Sequence, residues 1–96
     1  MDAFWEMITE PVLLAIGPRS IVEIGSEEGI STTRKLLTYC ERHGAVLHAI
    51  EPEPRFDVAS WQRQYGSCFV MHQTVSLQAL PTLDRFDVVL IDGDHN

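Results

Sequence analysis

The sequence has few cysteines, few basic residues and no long apolar run. Its two cysteines, Cys40 and Cys68, form no short metal-binding spacing, so we expect small buried residues in a reduced, cytoplasmic chain. The longest apolar run, from Val12 to Ile16, has five residues, whereas a membrane helix needs about 20. The amino terminus is acidic and lacks the apolar core of a secretory signal. We therefore expect neither a membrane span nor export.

Basic residues are outnumbered two to one by acidic residues. Seven Lys and Arg against fourteen Asp and Glu give a net charge of −7, which argues against a general attraction to nucleic-acid phosphate or anionic lipid. With 96 residues, of which 45% are apolar, the chain is long enough for one packed domain and too short for two. We expect a single domain over residues 1–96 that binds neither nucleic acid nor membrane.

Short apolar and β-branched runs alternate with helical repeats along the chain. The pattern predicts four strands, at Ile21–Gly25, Val46–Glu51, Cys68–Gln73 and Phe86–Asp92. Helical repeats lie between them, through Ile30 to Gly44 and from Phe56 to Tyr65. Because strands joined by helical crossovers run parallel, this alternation predicts an α/β fold with a parallel sheet.

The first segment has the periodicity of an amphipathic helix. Apolar residues recur in steps of three and four at Trp5, Ile8, Val12 and Ile16, and we expect this face to pack against the domain. Pro11 either kinks this helix or opens a second one.

Half of the carboxylates follow predicted strand ends. Seven of the fourteen lie at or just beyond the first, second and fourth strands: Glu23, Glu27, Glu28, Glu51, Glu53, Asp92 and Asp94. In an open parallel sheet, ligands bind at the carboxyl ends of the strands, near the point where strand order reverses. The cluster indicates a binding site, and a solvated acidic rim is the alternative.

The turn after the first strand reads Gly25-Ser26-Glu27-Glu28-Gly29. Its glycines permit close approach to a ligand, and the helix that follows presents unpaired amides. Two glutamates in the turn disfavour a pyrophosphate and suit a ligand that carries one carboxylate, an ammonium and a sulfonium. A simple tight turn is the alternative.

Glu51 ends the second strand, 22 residues after Gly29. This is close to the offset of about 20 residues at which an acid accepts hydrogen bonds from ribose hydroxyls. A surface acid before Pro52 is the alternative. Taken with the glycine turn, the position predicts a ligand that contains adenosine.

Three motifs resemble the class I S-adenosylmethionine-dependent methyltransferases. They are the stretch from Ile21 to Leu37, the segment Ala49-Ile50-Glu51, and the run from Phe86 through Asp92-Gly93-Asp94-His95. The resemblance implies a Rossmann-like parallel sheet with strand order 3-2-1-4. It also implies S-adenosylmethionine as cofactor and a small-molecule acceptor that is methylated on oxygen or nitrogen.

The resemblance also implies roles for individual residues. The methionine part of the cofactor would be surrounded by Glu23, Gly25, Ser26, Glu27 and Gly29, with Ser31 near the same loop. Glu51 would hold the ribose. An acid after the third strand usually approaches the adenine amine in this family, but here Val75 stands at that position, flanked by Thr74 and Ser76.

The fourth strand ends in Asp92-Gly93-Asp94-His95. Carboxylates at a strand end suit a hard cation such as Mg²⁺, and related enzymes that methylate hydroxyl groups use an acid there for metal. Asp92 is the first candidate ligand and lies near the expected cofactor, and Asp94 is the second. His95 is a candidate base for an acceptor hydroxyl. Turn-forming acids and a hydrogen-bonded loop histidine are the alternatives.

Two further expectations concern the whole protein. The family fold continues with three strands that this sequence lacks, so we expect either a longer chain or a second copy to cover the fourth strand. A nicotinamide-dependent oxidoreductase would share the strand and ribose-acid pattern, and a non-catalytic interaction module would pair through the fourth strand.

The remaining histidines and aromatic residues are expected to be structural. His48 and His72 lie within predicted strands, where packed or edge positions are more common than ligand positions. Trp5, Trp61 and Phe69 are expected in the core.

Overall fold

The structure is a computed structural model that describes residues 5–25, 30–54, 56–74 and 88–91, with the backbone alone for 30, 31 and 88–91. The chain begins with a π-helical turn, Trp5–Thr9, which leads into helix α1. The elements in order are α1 (Glu10–Ile16), β1 (Ser20–Ile24), α2 (Ile30–His43), β2 (Val46–Ile50), α3 (Val58–Tyr65), a 3₁₀ turn (Gly66–Cys68), β3 (Phe69–His72) and β4 (Val88–Ile91). Within these ranges, no helix has the length and hydropathy to cross a bilayer.

The four strands form one parallel sheet in the order β3-β2-β1-β4. This confirms the strand order that the sequence resemblance implies. Strand order reverses at β1, which pairs with β2 on one side and β4 on the other. Ile24, the last residue of β1, is in register with Ile50 of β2 and Ile91 of β4. The three strands therefore end at one edge, where ligands of such sheets bind.

One face of the sheet carries the main core. Alternate strand residues point to this face, where they form a buried cluster with α2 and α3. Its members include Ile21, Leu47, Phe69, Leu36, Leu37, Cys40, Trp61 and Tyr65. On the opposite face, Val22 and Ile50 pack with the partly buried Ile24. Trp5, Trp61 and Phe69 are buried, as predicted.

The ends of α2 and α3 follow local signals in the sequence. The last turn of α2 contains Arg42 and His43, and Gly44 follows with a φ of 68°. Such a left-handed residue is typical of a helix end. Helix α3 begins at Val58, two residues later than predicted, because Asp57 Oδ1 accepts a hydrogen bond from the Ser60 amide at 3.2 Å and caps it.

The predicted packing face of the first segment is wrong except for Trp5, which is buried. Ile8, Val12 and Ile16 are 48–55% exposed, whereas Leu13 is 1% exposed. A π-helical turn has more residues per turn than an α-helix, and Pro11 lies in the first turn of a new helix. The two parts therefore do not share one 3.6-residue periodicity, and the buried residues of this segment are Trp5 and Leu13.

Both cysteines are free thiols. Cys40 is fully buried, and burial, with a smaller contribution from Cys68, raises the pKa of its thiol to about 12. The thiol therefore stays protonated near neutral pH. Cys68 packs partly buried against the same core, so both residues act as the small apolar groups that the sequence predicts.

We predict different effects of truncating the two adjacent leucines of α1. Leu13→Ala should lower the free energy of unfolding by about 2–5 kcal/mol, because it leaves a cavity in the core. Leu14 is 56% exposed, so Leu14→Ala should change that free energy by less than about 0.5 kcal/mol. Urea denaturation measures both. Equal losses would contradict the orientation of α1.

Candidate functional site

The residues that follow β1 and β2 lie next to each other. The Gly25 amide donates a hydrogen bond to the Ile50 carbonyl at 3.0 Å, and the Glu51 amide donates to the His72 carbonyl at 3.0 Å. The hydrogen bonds therefore continue one residue beyond each of these strand ends. Gly25 and Glu51, which the sequence assigns to one ligand, lie at the same edge of the sheet.

Gly25 opens the connection from β1 to α2 in a conformation that favours glycine. Its φ is 83°, in the left-handed region that costs other residues about 1–2 kcal/mol. Glycine adopts this conformation at little cost, so the chain continues beyond β1 without backbone strain at this residue.

Glu51 is buried and held in one orientation. It is 5% exposed, which excludes the alternative of a solvated surface acid. Its Oε2 accepts a hydrogen bond from the Glu53 amide at 3.0 Å. Within the described part of the chain, Oε1 accepts no hydrogen bond. The carboxylate therefore has one oxygen fixed by the backbone and one available to a donor on a ligand.

Glu23 connects the end of β1 to α2. Its side chain is fully buried, and its Oε1 accepts a hydrogen bond of 2.7 Å from the Thr33 hydroxyl, which is also fully buried. A bond to a carboxylate is stronger than one between neutral groups. Hydrogen bonds therefore hold both ends of the connection between β1 and α2. Gly25, at its start, is bonded to Ile50 of β2, and Thr33 of α2 is bonded to Glu23 of β1.

The other predicted site residues are placed only in part. Thr74 follows β3 at the same edge, where its amide donates to the His72 carbonyl at 2.9 Å. The backbone of Ser31 lies in the first turn of α2. The remaining predicted residues lie outside the described residues: Ser26, Glu27, Gly29, Val75, Ser76, Asp92, Asp94 and His95. Their predicted roles stay predictions.

The predicted Mg²⁺ site lies outside the described residues and stays a prediction. In the ranges that the structure describes, no three His, Cys, Asp or Glu side chains come together as a metal site. Asp92 and Asp94, the predicted ligands, are outside those ranges.

A cleft of about 190 Å³ lies elsewhere, between the first segment and α2. Aromatic Trp5 and Tyr39 line it together with the cationic Arg34, Lys35 and Arg42. None of its lining residues belongs to the strand ends that carry Gly25 and Glu51, and its three cations outnumber its one acid, Glu10. This charge is opposite to the one expected around a sulfonium ligand, so the cleft is not the candidate site.

The comparison with known families agrees with this geometry. A family model described as a methyltransferase domain matches residues 22–96. The chain belongs to this methyltransferase family. The matched region includes the strand ends that carry Glu23, Gly25 and Glu51 in the methyltransferase domain. Neither the search of curated proteins nor that of solved structures gives a significant match.

Two contacts of this methyltransferase domain were not predicted from the sequence. Thr33 lies within the helical repeat between Ile30 and Gly44. A hydroxyl at an apolar position of such a repeat is the one signal in the sequence for a buried polar partner. His48 Nδ1 lies 3.1 Å from His72 Nε2. That contact depends on the register of β2 with β3, which no local pattern in the sequence reveals.

We predict that Thr33 and Glu23 are energetically coupled. Thr33→Val keeps the side-chain shape but removes the donor to Glu23, and should lower the free energy of unfolding by about 1–3 kcal/mol. In a Glu23→Met background, Thr33→Val should lower the free energy of unfolding by at least about 0.5 kcal/mol less, because the effects of substitutions at two contacting residues are not additive. A double-mutant cycle in urea measures the difference. Additive losses would contradict the contact.

Proposed function

We propose that the chain binds S-adenosylmethionine at the carboxyl ends of β1 and β2, and that the enzyme transfers its methyl group to oxygen or nitrogen of a small-molecule acceptor. The observation that carries the proposal is the placement of Glu51. Its carboxylate is buried and held in one orientation, and it follows β2, the strand whose last residue accepts the Gly25 amide hydrogen bond. Membership of a methyltransferase family supports the same reaction class.

The residues at this edge fit the chemistry of that cofactor. Oε1 of Glu51, which accepts no hydrogen bond from the described residues, is an acceptor for ribose hydroxyls, which are donors. Gly25, which has no side chain, begins the segment that would approach the methionine part. The buried carboxylates of Glu23 and Glu51 give the edge a negative potential that favours sulfonium and ammonium groups and opposes a pyrophosphate.

When bound, S-adenosylmethionine supplies an electrophilic methyl group on its sulfonium. The task of the chain is then mainly to bind and orient the cofactor. Holding the acceptor atom at about 3–3.5 Å from the methyl carbon gives much of the rate enhancement in such a transfer. This requirement is consistent with a site built from hydrogen-bonding groups and a glycine turn.

The acceptor side of the reaction is also part of the proposal. We propose that His95 takes the proton from the acceptor hydroxyl and that Asp92 and Asp94 bind an Mg²⁺ ion, as the sequence predicts. Among the described strands, β4 pairs with β1 alone, and we propose that either later strands of a longer chain or a second copy covers it. Two free thiols suit a reducing compartment such as the cytoplasm.

Calorimetry with S-adenosylhomocysteine, the demethylated cofactor, tests the proposal. Glu51→Ala should weaken binding about tenfold to a hundredfold, which corresponds to the about 1.5–3 kcal/mol of a hydrogen bond to a charged group. Glu53→Gln is the matched control. Its side chain is exposed, so solvent screens its charge, and its backbone amide, which contacts Glu51, is retained. The affinity of this variant should therefore fall far less than that of Glu51→Ala.

Other outcomes of the same experiment would overturn the proposal. Binding of NAD in preference to S-adenosylhomocysteine would indicate an oxidoreductase. Failure to bind either ligand would favour a non-catalytic interaction module. Unchanged affinity in a folded Glu51→Ala variant would remove the ribose contact.

A further inference from the structure

A pair of histidines lies on the face of the sheet opposite α2 and α3. His48 in β2 and His72 in β3 share this face with Ile50 and Val70, because side chains alternate along each strand. Both imidazoles are partly buried, and their ring centroids are 5.3 Å apart. The pair is separate from Glu23 and Thr33, whose contact lies on the helix-covered face.

The distance between the rings fits two adjacent ligand positions on one metal ion. Nδ1 of His48 and Nε2 of His72 are 3.1 Å apart. Two nitrogens bound at about 2.0–2.1 Å to a tetrahedral or octahedral ion are about 2.9–3.4 Å from each other. Small rotations of the rings would direct both lone pairs to a common point. In the absence of an ion, one ring donates a hydrogen bond to the other.

The surroundings of His48 favour its neutral imidazole, the form that can bind a metal ion. Burial, and then the nearby His72, lower the pKa of His48 from its usual value. Its imidazole is therefore neutral at pH 7, and neutral imidazole is the form that binds metals. Imidazole nitrogens suit borderline cations such as Zn²⁺, Ni²⁺ and Cu²⁺, whereas Mg²⁺ prefers oxygen ligands.

We propose that His48 and His72 bind one divalent cation of the Zn²⁺, Ni²⁺ and Cu²⁺ class. Since no third His, Cys, Asp or Glu joins them among the described residues, water completes the coordination. The ion cross-links β2 and β3 at the point where the His72 carbonyl accepts a hydrogen bond from the Glu51 amide. It thereby stabilises the strand end that presents Glu51, and its binding does not depend on the identity of the cofactor.

Titration of the metal-free chain with Ni²⁺ tests this site by calorimetry. We expect one ion per chain. His48→Gln or His72→Gln should weaken binding at least about tenfold. Removal of a residue that merely hydrogen-bonds to a metal ligand already weakens binding by about that much, and removal of a ligand itself should cost at least as much. His43→Gln is the matched control: His43 is exposed at the end of α2 and stacks on Tyr39, so its removal should leave the affinity unchanged.

A spectroscopic measurement covers the case in which a variant fails to fold. Electron paramagnetic resonance of Cu²⁺ added to the unaltered chain should show coupling to two imidazole nitrogens at one equivalent. Absence of Ni²⁺ binding, equal affinity in folded His48→Gln, or a spectrum without nitrogen coupling would overturn the proposal. Loss of Ni²⁺ binding in Asp92→Asn with both histidines intact would also overturn it, because the ion would then belong to the end of the fourth strand.

Discussion

The parallel register of β1 with its two neighbours determines where the candidate site lies. Ile24 stands opposite both Ile50 and Ile91, so the chain leaves three adjacent strands at one edge. Side chains alternate between the faces of a strand, and a slip of one residue would move Glu23 to the other face. In the observed register Glu23 faces α2 and meets Thr33. The site therefore depends on backbone pairing first and on side-chain chemistry second.

Two buried carboxylates at this edge carry an energetic cost. Removal of a charged group from water is unfavourable unless hydrogen bonds or opposite charge compensate it. The Thr33 hydroxyl and the Glu53 amide supply part of that compensation. A cationic ligand would supply more, which is why the proposed sulfonium cofactor suits the edge. Basic side chains of α2, in contrast, line a separate cleft.

The sequence predicted those parts of the fold that depend on local signals. Gly44 marks the end of α2, an effect that acts within a few residues. The start of α3 was predicted two residues too early, because the cap at Asp57 was not assigned from the sequence. Strand order was implied by the resemblance of the motifs to one family. The packing face of the first segment was wrong because a π-helical turn and Pro11 change the periodicity. The contacts of Thr33 and His48 join distant parts of the chain, so local pattern could not reveal them.

The most direct test of the account is a map of backbone amide chemical shifts as S-adenosylhomocysteine is added. If the cofactor binds at the carboxyl ends of β1 and β2, the largest changes should occur at Gly25, Glu51 and Glu53. The amides of Ser20 and Val46, at the opposite ends of the same strands, should change little. Changes concentrated at Ser20 and Val46, or around Tyr39 and Arg42 in the cationic cleft, would contradict the account.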